Sequence, residues 1–126
     1  MDIIISNSSG VPLYEQIKEQ IKAQIMSGDL KAGEALPSMR VLAKELRISI
    51  ITTKRAYEDL ERDGFIESVT GKGSFVKEIN IEIARENVFY EIQEILESAV
   101  DKAVLGNVTC DELIDIIKVL YEEKER

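Results

Sequence analysis

Ser49-Ile50-Ile51-Thr52-Thr53-Lys54-Arg55-Ala56-Tyr57-Glu58-Asp59-Leu60-Glu61-Arg62-Asp63-Gly64-Phe65-Ile66 is the stretch on which the fold turns. Thr53, Ala56, Tyr57 and Leu60 recur at i, i+3, i+4 and i+7, the spacing of one buried stripe along an α-helix. Ser49 has the hydroxyl needed to cap the first free N–H groups. Gly64 ends the helix, because glycine accepts the left-handed backbone of a helix C-terminus. The spacing therefore predicts a helix from Ser49 to about Asp63. At about 100° per residue, Ile51 and Arg55 fall on the face opposite the stripe, with Lys54 beside them.

Just upstream, Pro37 pins the chain and Ser38 can cap a short helix, Met39 to Leu46. Its expected buried face is Val41, Leu42 and Leu46, and Arg47-Ile48 make the turn into the next helix. Further back, Pro12 precedes Leu13, Ile17, Ile21 and Ile25, an apolar stripe at four-residue steps that Ser27-Gly28-Asp29 closes, with a second turn at Gly33. Downstream, Phe65–Val69 and Ser74–Val76 are strand-like runs joined by Thr70-Gly71-Lys72-Gly73, which reads as a β-hairpin. Helix, helix, helix, hairpin is the winged helix-turn-helix order. The expected fold is mainly α with a small β-hairpin wing over residues 1–78.

Residues 79–126 carry only helical patterns. Val88, Ile92, Ile95, Leu96, Ala99 and Ala103 form one stripe, which Gly106 ends. Thr109 and Glu112 have the spacing of a capping box, and Leu113, Ile116, Ile117 and Leu120 follow at helical intervals. Two helices alone enclose little core. Both stripes are therefore expected to meet a second copy of the chain, making this segment a homodimer interface; the plainer alternative is packing back onto the same chain.

Composition removes other classes of function. The chain has no His, so it lacks the commonest acid-base group near neutral pH and the commonest transition-metal ligand. One Cys, Cys110, permits no internal disulfide and no ordinary zinc set. Its place in a helix's first turn could lower the thiol pKa for a redox role, but a plain small residue is the simpler reading. Asp111, Glu112 and Asp115 suit a helix N-terminus electrostatically, without any metal. No enzyme, cofactor or metal is expected. The sequence holds no apolar run of membrane length and no basic leader, so the cytoplasm is the expected location.

The net charge of −8 is unevenly spread. Residues 1–78 hold 11 Lys or Arg against 12 Asp or Glu, and residues 79–126 hold 5 against 12, leaving −1 and −7. Between residues 40 and 55, Arg40, Lys44, Arg47, Lys54 and Arg55 face only Glu45. An acidic chain thus carries a local cationic patch, which suits a polyanionic partner.

Four stretches resemble the DNA-binding domain of the GntR family of bacterial regulators. They are Pro12-Leu13-Tyr14-Glu15-Gln16-Ile17, Leu36-Pro37-Ser38-Met39-Arg40-Val41-Leu42-Ala43, Arg55 through Ile66, and Gly71-Lys72-Gly73-Ser74-Phe75-Val76. Their order and spacing match over roughly residues 11–77. The short helical C-terminus is similar to that of the YtrA-type subfamily, where it serves dimerisation. The resemblance implies a dimeric transcription regulator, a repressor by family habit, with transporter operons as its implied targets. The recognition helix departs from the family pattern. Arg47 stands where Gly is common, Ser49-Ile50-Ile51-Thr52 where Asn-Pro-Asn-Thr is common, and Thr53 where an aliphatic residue is usual. An operator sequence therefore does not carry over from relatives.

In such a motif the second helix enters the major groove and offers its N-terminal residues to base edges. The candidates are Ile50, Ile51, Lys54 and Arg55, with Ser49 and Thr52 near phosphates. Ser38 and Arg40 join them from the start of the preceding helix, where the resemblance implies a DNA contact for Arg40. Gly71 and Lys72 at the hairpin tip are placed for the minor groove or a phosphate. Tyr57 lies on the buried stripe and reads as core. The expected partners are double-stranded DNA, on a palindromic operator, and a second copy of the chain. A winged helix that docks a protein, with the acidic C-terminus as its docking surface, is the alternative.

Overall fold

The computed structural model describes residues 1–125, in a unit spanning Met1–Ile81 and a second beginning at Glu82. The first unit holds α1 (Leu13–Ser27), α2 (Met39–Leu46), α3 (Ile50–Arg62), β1 (Ile66–Val69) and β2 (Gly73–Val76). The second holds α4 and α5; α4 (Ile81–Leu105) begins one residue before the division, and α5 is Cys110–Glu125. The molecule is mainly helical, with one two-stranded antiparallel hairpin.

The expected stripes make the core of the first unit. Ile17, Ile21 and Ile25 of α1 pack with Leu42 of α2, with Ala56, Tyr57 and Leu60 of α3, and with Ile66 and Val76 of the hairpin. Burial of each large aliphatic side chain is worth about 1.5–3 kcal/mol, so these spacings largely dictate how the helices face one another. Val41 is a correction. It is 48% exposed, whereas Leu42 and Ala43 are buried and Met39 and Leu46 pack against the core's edge. The stripe of α2 runs through residues 39, 42, 43 and 46, and Val41 lies about 200° from Ala43, on the outward side.

Two buried hydroxyls fix α3 against α2 and the segment before it. The Thr53 hydroxyl lies 3.0 Å from the Met39 carbonyl and 2.9 Å from that of Ile50, and the side chain is fully buried. This explains a polar residue where an aliphatic one is usual: it ties the first turn of α2 to α3. One turn further along, the Tyr57 hydroxyl donates to the Pro37 carbonyl at 2.7 Å. Burial, and secondarily the negative charge of Glu45, push the Tyr57 phenol well above its ordinary pKa.

The wing is broader than the hairpin read from sequence. β1 and β2 pair Ile66 with Val76 and Val69 with Gly73. The other edge of β2 is covered by residues 34–36, with Leu36 N–H donating to the Ser74 carbonyl at 2.9 Å and Val76 N–H to the Glu34 carbonyl at 2.8 Å. The hairpin is also fastened to the end of α3, where the Glu61 carboxylate accepts from the backbone N–H and the hydroxyl of Ser68.

Residues 2–6 lie along α1 and are held by three glutamines, Gln24, Gln20 and Gln16. Gln24 donates to the Asp2 carbonyl at 2.7 Å. Gln20 accepts from the Ile4 N–H at 2.9 Å and donates to the Ile4 carbonyl. Gln16 makes the same pair with Ser6, both bonds at 2.8 Å. Four helical residues rise about 6 Å, close to the span of two residues of extended chain, about 6.7 Å. Glutamines at every fourth position therefore meet every second residue of the segment, while Ile3 and Ile5 turn to the core.

In the second unit, α4 ends at Leu105, just before Gly106, and the capping box forms as its spacing predicts. Glu112 N–H donates to the Thr109 hydroxyl at 3.2 Å, and Thr109 N–H donates to the Glu112 carboxylate at 2.9 Å. That backbone N–H, ahead of the threonine hydroxyl, lowers the Glu112 pKa. No helix among the described residues is long and apolar enough to cross a membrane.

Tyr57→Phe should destabilise the fold by about 1–2 kcal/mol, because the Pro37 carbonyl loses its buried donor. In the unfolded chain the phenol ionises near pH 10, whereas in the folded chain it stays protonated to higher pH. Its contribution is therefore complete below about pH 10 and is lost as pH rises beyond that. Urea unfolding curves from neutral to alkaline pH should show a decline that is shallower in the phenylalanine variant.

Candidate nucleic-acid interface

The outward face of α3 is built from its N-terminal end. Ser49 is extended, and its hydroxyl oxygen accepts from the Ile51 N–H at 3.1 Å. Ser38 does the same for α2, accepting from the Val41 N–H at 3.1 Å. Each cap uses an oxygen lone pair and leaves the hydroxyl proton to donate outward, so both serines combine helix capping with the ability to bind a phosphate. Helix N-termini also favour anions through the aligned peptide dipoles.

Ile50 and Ile51 occupy the first turn of α3 on the solvent side, Ile51 being 75% exposed. Thr52, placed near phosphates by the sequence, is half-buried at the edge of this face. Lys54 is exposed, with its ammonium 3.9 Å from the Glu58 carboxylate one turn along. Arg55 is held more firmly. Its guanidinium lies 3.8 Å from the centre of the Tyr14 ring, a cation–π contact that clamps α1 to α3. Stacking leaves the guanidinium's edge N–H groups free to donate. Tyr14 was not among the candidates from sequence; it lies within a recognised motif, but nothing in the spacing links it to an arginine 41 residues away.

The Thr53–Met39 bond brings the start of α2, with Ser38 and Arg40, beside the start of α3. Arg40 and Lys44 of α2 and Arg47 of the turn that leads into α3 are exposed. Gly71 and Lys72 are not part of this cluster. They sit on the hairpin tip, whose strand is fastened to α3 at its opposite end, through Glu61 and Ser68. Gly71 has φ +78°, and Lys72 N–H closes the turn on the Val69 carbonyl at 2.9 Å.

Arg47 adopts the left-handed conformation, φ 57° and ψ 47°, at the end of α2. This accounts for the glycine that the resembled family carries at that turn: the backbone geometry is kept and only the residue differs. Among the described residues no group of three His, Cys, Asp or Glu side chains is placed to hold a metal ion, and Cys110 is exposed.

The model of bacterial regulatory proteins of the gntR family matches residues 13–76, slightly more than half of the chain. The chain belongs to the GntR family. The HTH-type transcriptional repressor YtrA of Bacillus subtilis is 34% identical over 116 residues, covering 92% of this chain and 89% of that protein. A Listeria monocytogenes structure described as a transcriptional antiterminator superposes over the whole chain and 91% of its own, with a TM-score of 0.77 and 29% identity. The DNA-binding domain of AraR, solved in complex with operator ORX1, has a TM-score of 0.53 and 28% identity, covering 60% of this chain and 95% of its own. This GntR-family protein is a transcription regulator built on a DNA-binding winged helix, and it is not an enzyme.

Replacing Arg47 with Gly should stabilise the fold by up to about 1 kcal/mol. Relief of the left-handed strain, about 1–2 kcal/mol, exceeds the added backbone entropy of glycine, about 0.5–1 kcal/mol. Thermal unfolding reads the gain directly, as a midpoint raised by a few degrees.

Proposed function

We propose that this regulator binds a palindromic operator as a homodimer and represses by occluding promoter DNA. The observation that carries the reading is the capped, cation-rimmed N-terminal face of α3, exposed on a winged helix whose core is otherwise satisfied. In this reading Ser38, Arg40, Ser49, Thr52 and Arg47 meet phosphates, and Ile50, Ile51, Lys54 and Arg55 enter the major groove. Gly71 and Lys72 of the wing reach a neighbouring phosphate or the minor groove. The operator complex of the related AraR domain supports DNA as the partner. Repression is supported by the repressor YtrA, and the likeness to YtrA-type regulators makes a transporter operon the target we favour.

Dimerisation is assigned to α4 and α5. Ile92, Ile95 and Leu96 of α4 and Ile116 and Leu120 of α5 are exposed, Ile95 to 69%. Val88, Ala99, Leu113 and Ile117 are half-buried, and Ala103 is already buried in its own chain. Phe89, Ile92, Leu96 and Val100 line an open groove on α4. Exposed apolar side chains along both helices support association with a second chain. A second copy also serves the function, since it sets two recognition helices about one DNA turn, roughly 34–36 Å, or a multiple of it, apart.

Titration of DNA upstream of the regulator's own gene should give binding that weakens steeply with salt, and Arg40→Ala should flatten the log–log slope by about one unit. Binding of that DNA no better than random sequence, unchanged by Arg40→Ala, would favour a protein-docking module instead.

Leu96→Glu should convert the dimer to monomers in analytical ultracentrifugation. Operator affinity should then drop on the order of 100-fold as the second half-site is lost. A variant that stays dimeric would place the interface elsewhere.

A further inference from the structure

The polar side chains on the reading face of α3 each make a contact within the chain that leaves donors to spare. Lys54 faces Glu58 at 3.9 Å, Arg55 is stacked on Tyr14, and the Ser49 oxygen caps the Ile51 N–H. Beside them an aliphatic side chain, Ile51, stands 75% exposed, flanked by the partly exposed Ile50. Neither belongs to the buried stripe of Thr53, Ala56, Tyr57 and Leu60. β-Branched residues are also poor choices for an exposed helical turn, because their χ1 freedom is lost there. Ile51, which is not among the residues packed on the core, has no structural reason in this chain.

The stretch from residue 40 to 55 that includes Ile50 and Ile51 holds Arg40, Lys44, Arg47, Lys54 and Arg55 against the single acid Glu45. An exposed aliphatic side chain on a cationic stretch complements a polyanion that itself presents an apolar spot. In duplex DNA the major groove presents one such group among the four standard bases, the C5 methyl of thymine.

We propose that this regulator reads its operator chiefly through thymine methyl groups, with Ile51 as the specificity-determining side chain. The cations around it hold phosphates and set the register. This inference rests on the DNA-binding reading above and adds the chemistry by which sequence is recognised.

The test removes the methyl and leaves every hydrogen-bonding group of the base in place. An operator is first selected from random duplexes with the full-length protein, and each thymine in it is then replaced singly by deoxyuridine. At one or two positions per half-site the wild type should lose about 3–5-fold in affinity, the worth of one buried methyl group. Ile51→Ala should bind the thymine and deoxyuridine duplexes equally at those positions. Because Ile51 is exposed the alanine variant should fold, and the deoxyuridine series reads the same interaction without altering the protein. An operator bound tightly and salt-sensitively, yet indifferent to loss of every thymine methyl, overturns the proposal and leaves the DNA-binding reading standing. Deoxyuridine sensitivity that persists undiminished in Ile51→Ala overturns the role of this residue. Failure to select any duplex, with no salt-dependent binding, overturns the DNA-binding reading and this proposal together.

Discussion

Within the apolar core of the first unit, the seating of α2 on α3 depends on one buried hydroxyl. Thr53 sits within hydrogen-bonding distance of the carbonyls of Met39 and Ile50, in a site closed to water. A buried hydroxyl without a partner is costly, so the side chain tolerates only packings that keep an acceptor within reach. An aliphatic residue would accept a range of helix crossings at similar cost, whereas the threonine narrows them. Tyr57 repeats the constraint one turn along through the Pro37 carbonyl. The positions of Ser38 and Arg40 relative to Ile51 and Arg55 follow from these two bonds, and so does the shape of the surface they form together.

Much of this was legible in the sequence, because the strongest signals are periodic. The stripes of α1 and α3, the serine caps of α2 and α3, the turn glycines of the hairpin and the Thr109 capping box are all local patterns with one physical meaning. Val41 was misread because α2 spans barely two turns, too few for an apolar residue beside the stripe to be told from one within it. The pairing of residues 34–36 on β2 was not read, since three residues between Gly33 and Pro37 have no strand period and are recruited by the free edge of the hairpin. The Arg55–Tyr14 stack and the glutamine contacts to residues 2–6 depend on which helix faces are brought together. No spacing within either partner encodes that.

The second unit poses a different physical problem. α4 has 25 residues, about 37 Å of helix, and Ala103 is its one buried residue. None of the described residues of α5 is buried. Its helices are therefore specified locally, by the Thr109–Glu112 box and by the left-handed Asn107 that follows Gly106. Their apolar stripes are left in water by a single copy of the chain. The acidity of this half disfavours its contact with a polyanion, in contrast to the cationic stretch of residues 40–55.

The clasp between α1 and residues 2–6 is made entirely of amide groups. Thr53 and Tyr57 are neutral as well, and the ion pairs Lys54–Glu58, Arg62–Asp59 and Arg62–Asp63 lie within α3 or at its end. Ionic strength thus has little to act on in the clasp and the buried hydroxyls, while the charged surface around α3 responds to it fully. Most of the unit's cohesion runs on a chemistry separate from that of its cationic surface, Arg55 being the residue that serves both through its stack on Tyr14. Counterions can therefore loosen a polyanion's hold while the neutral contacts keep the unit folded.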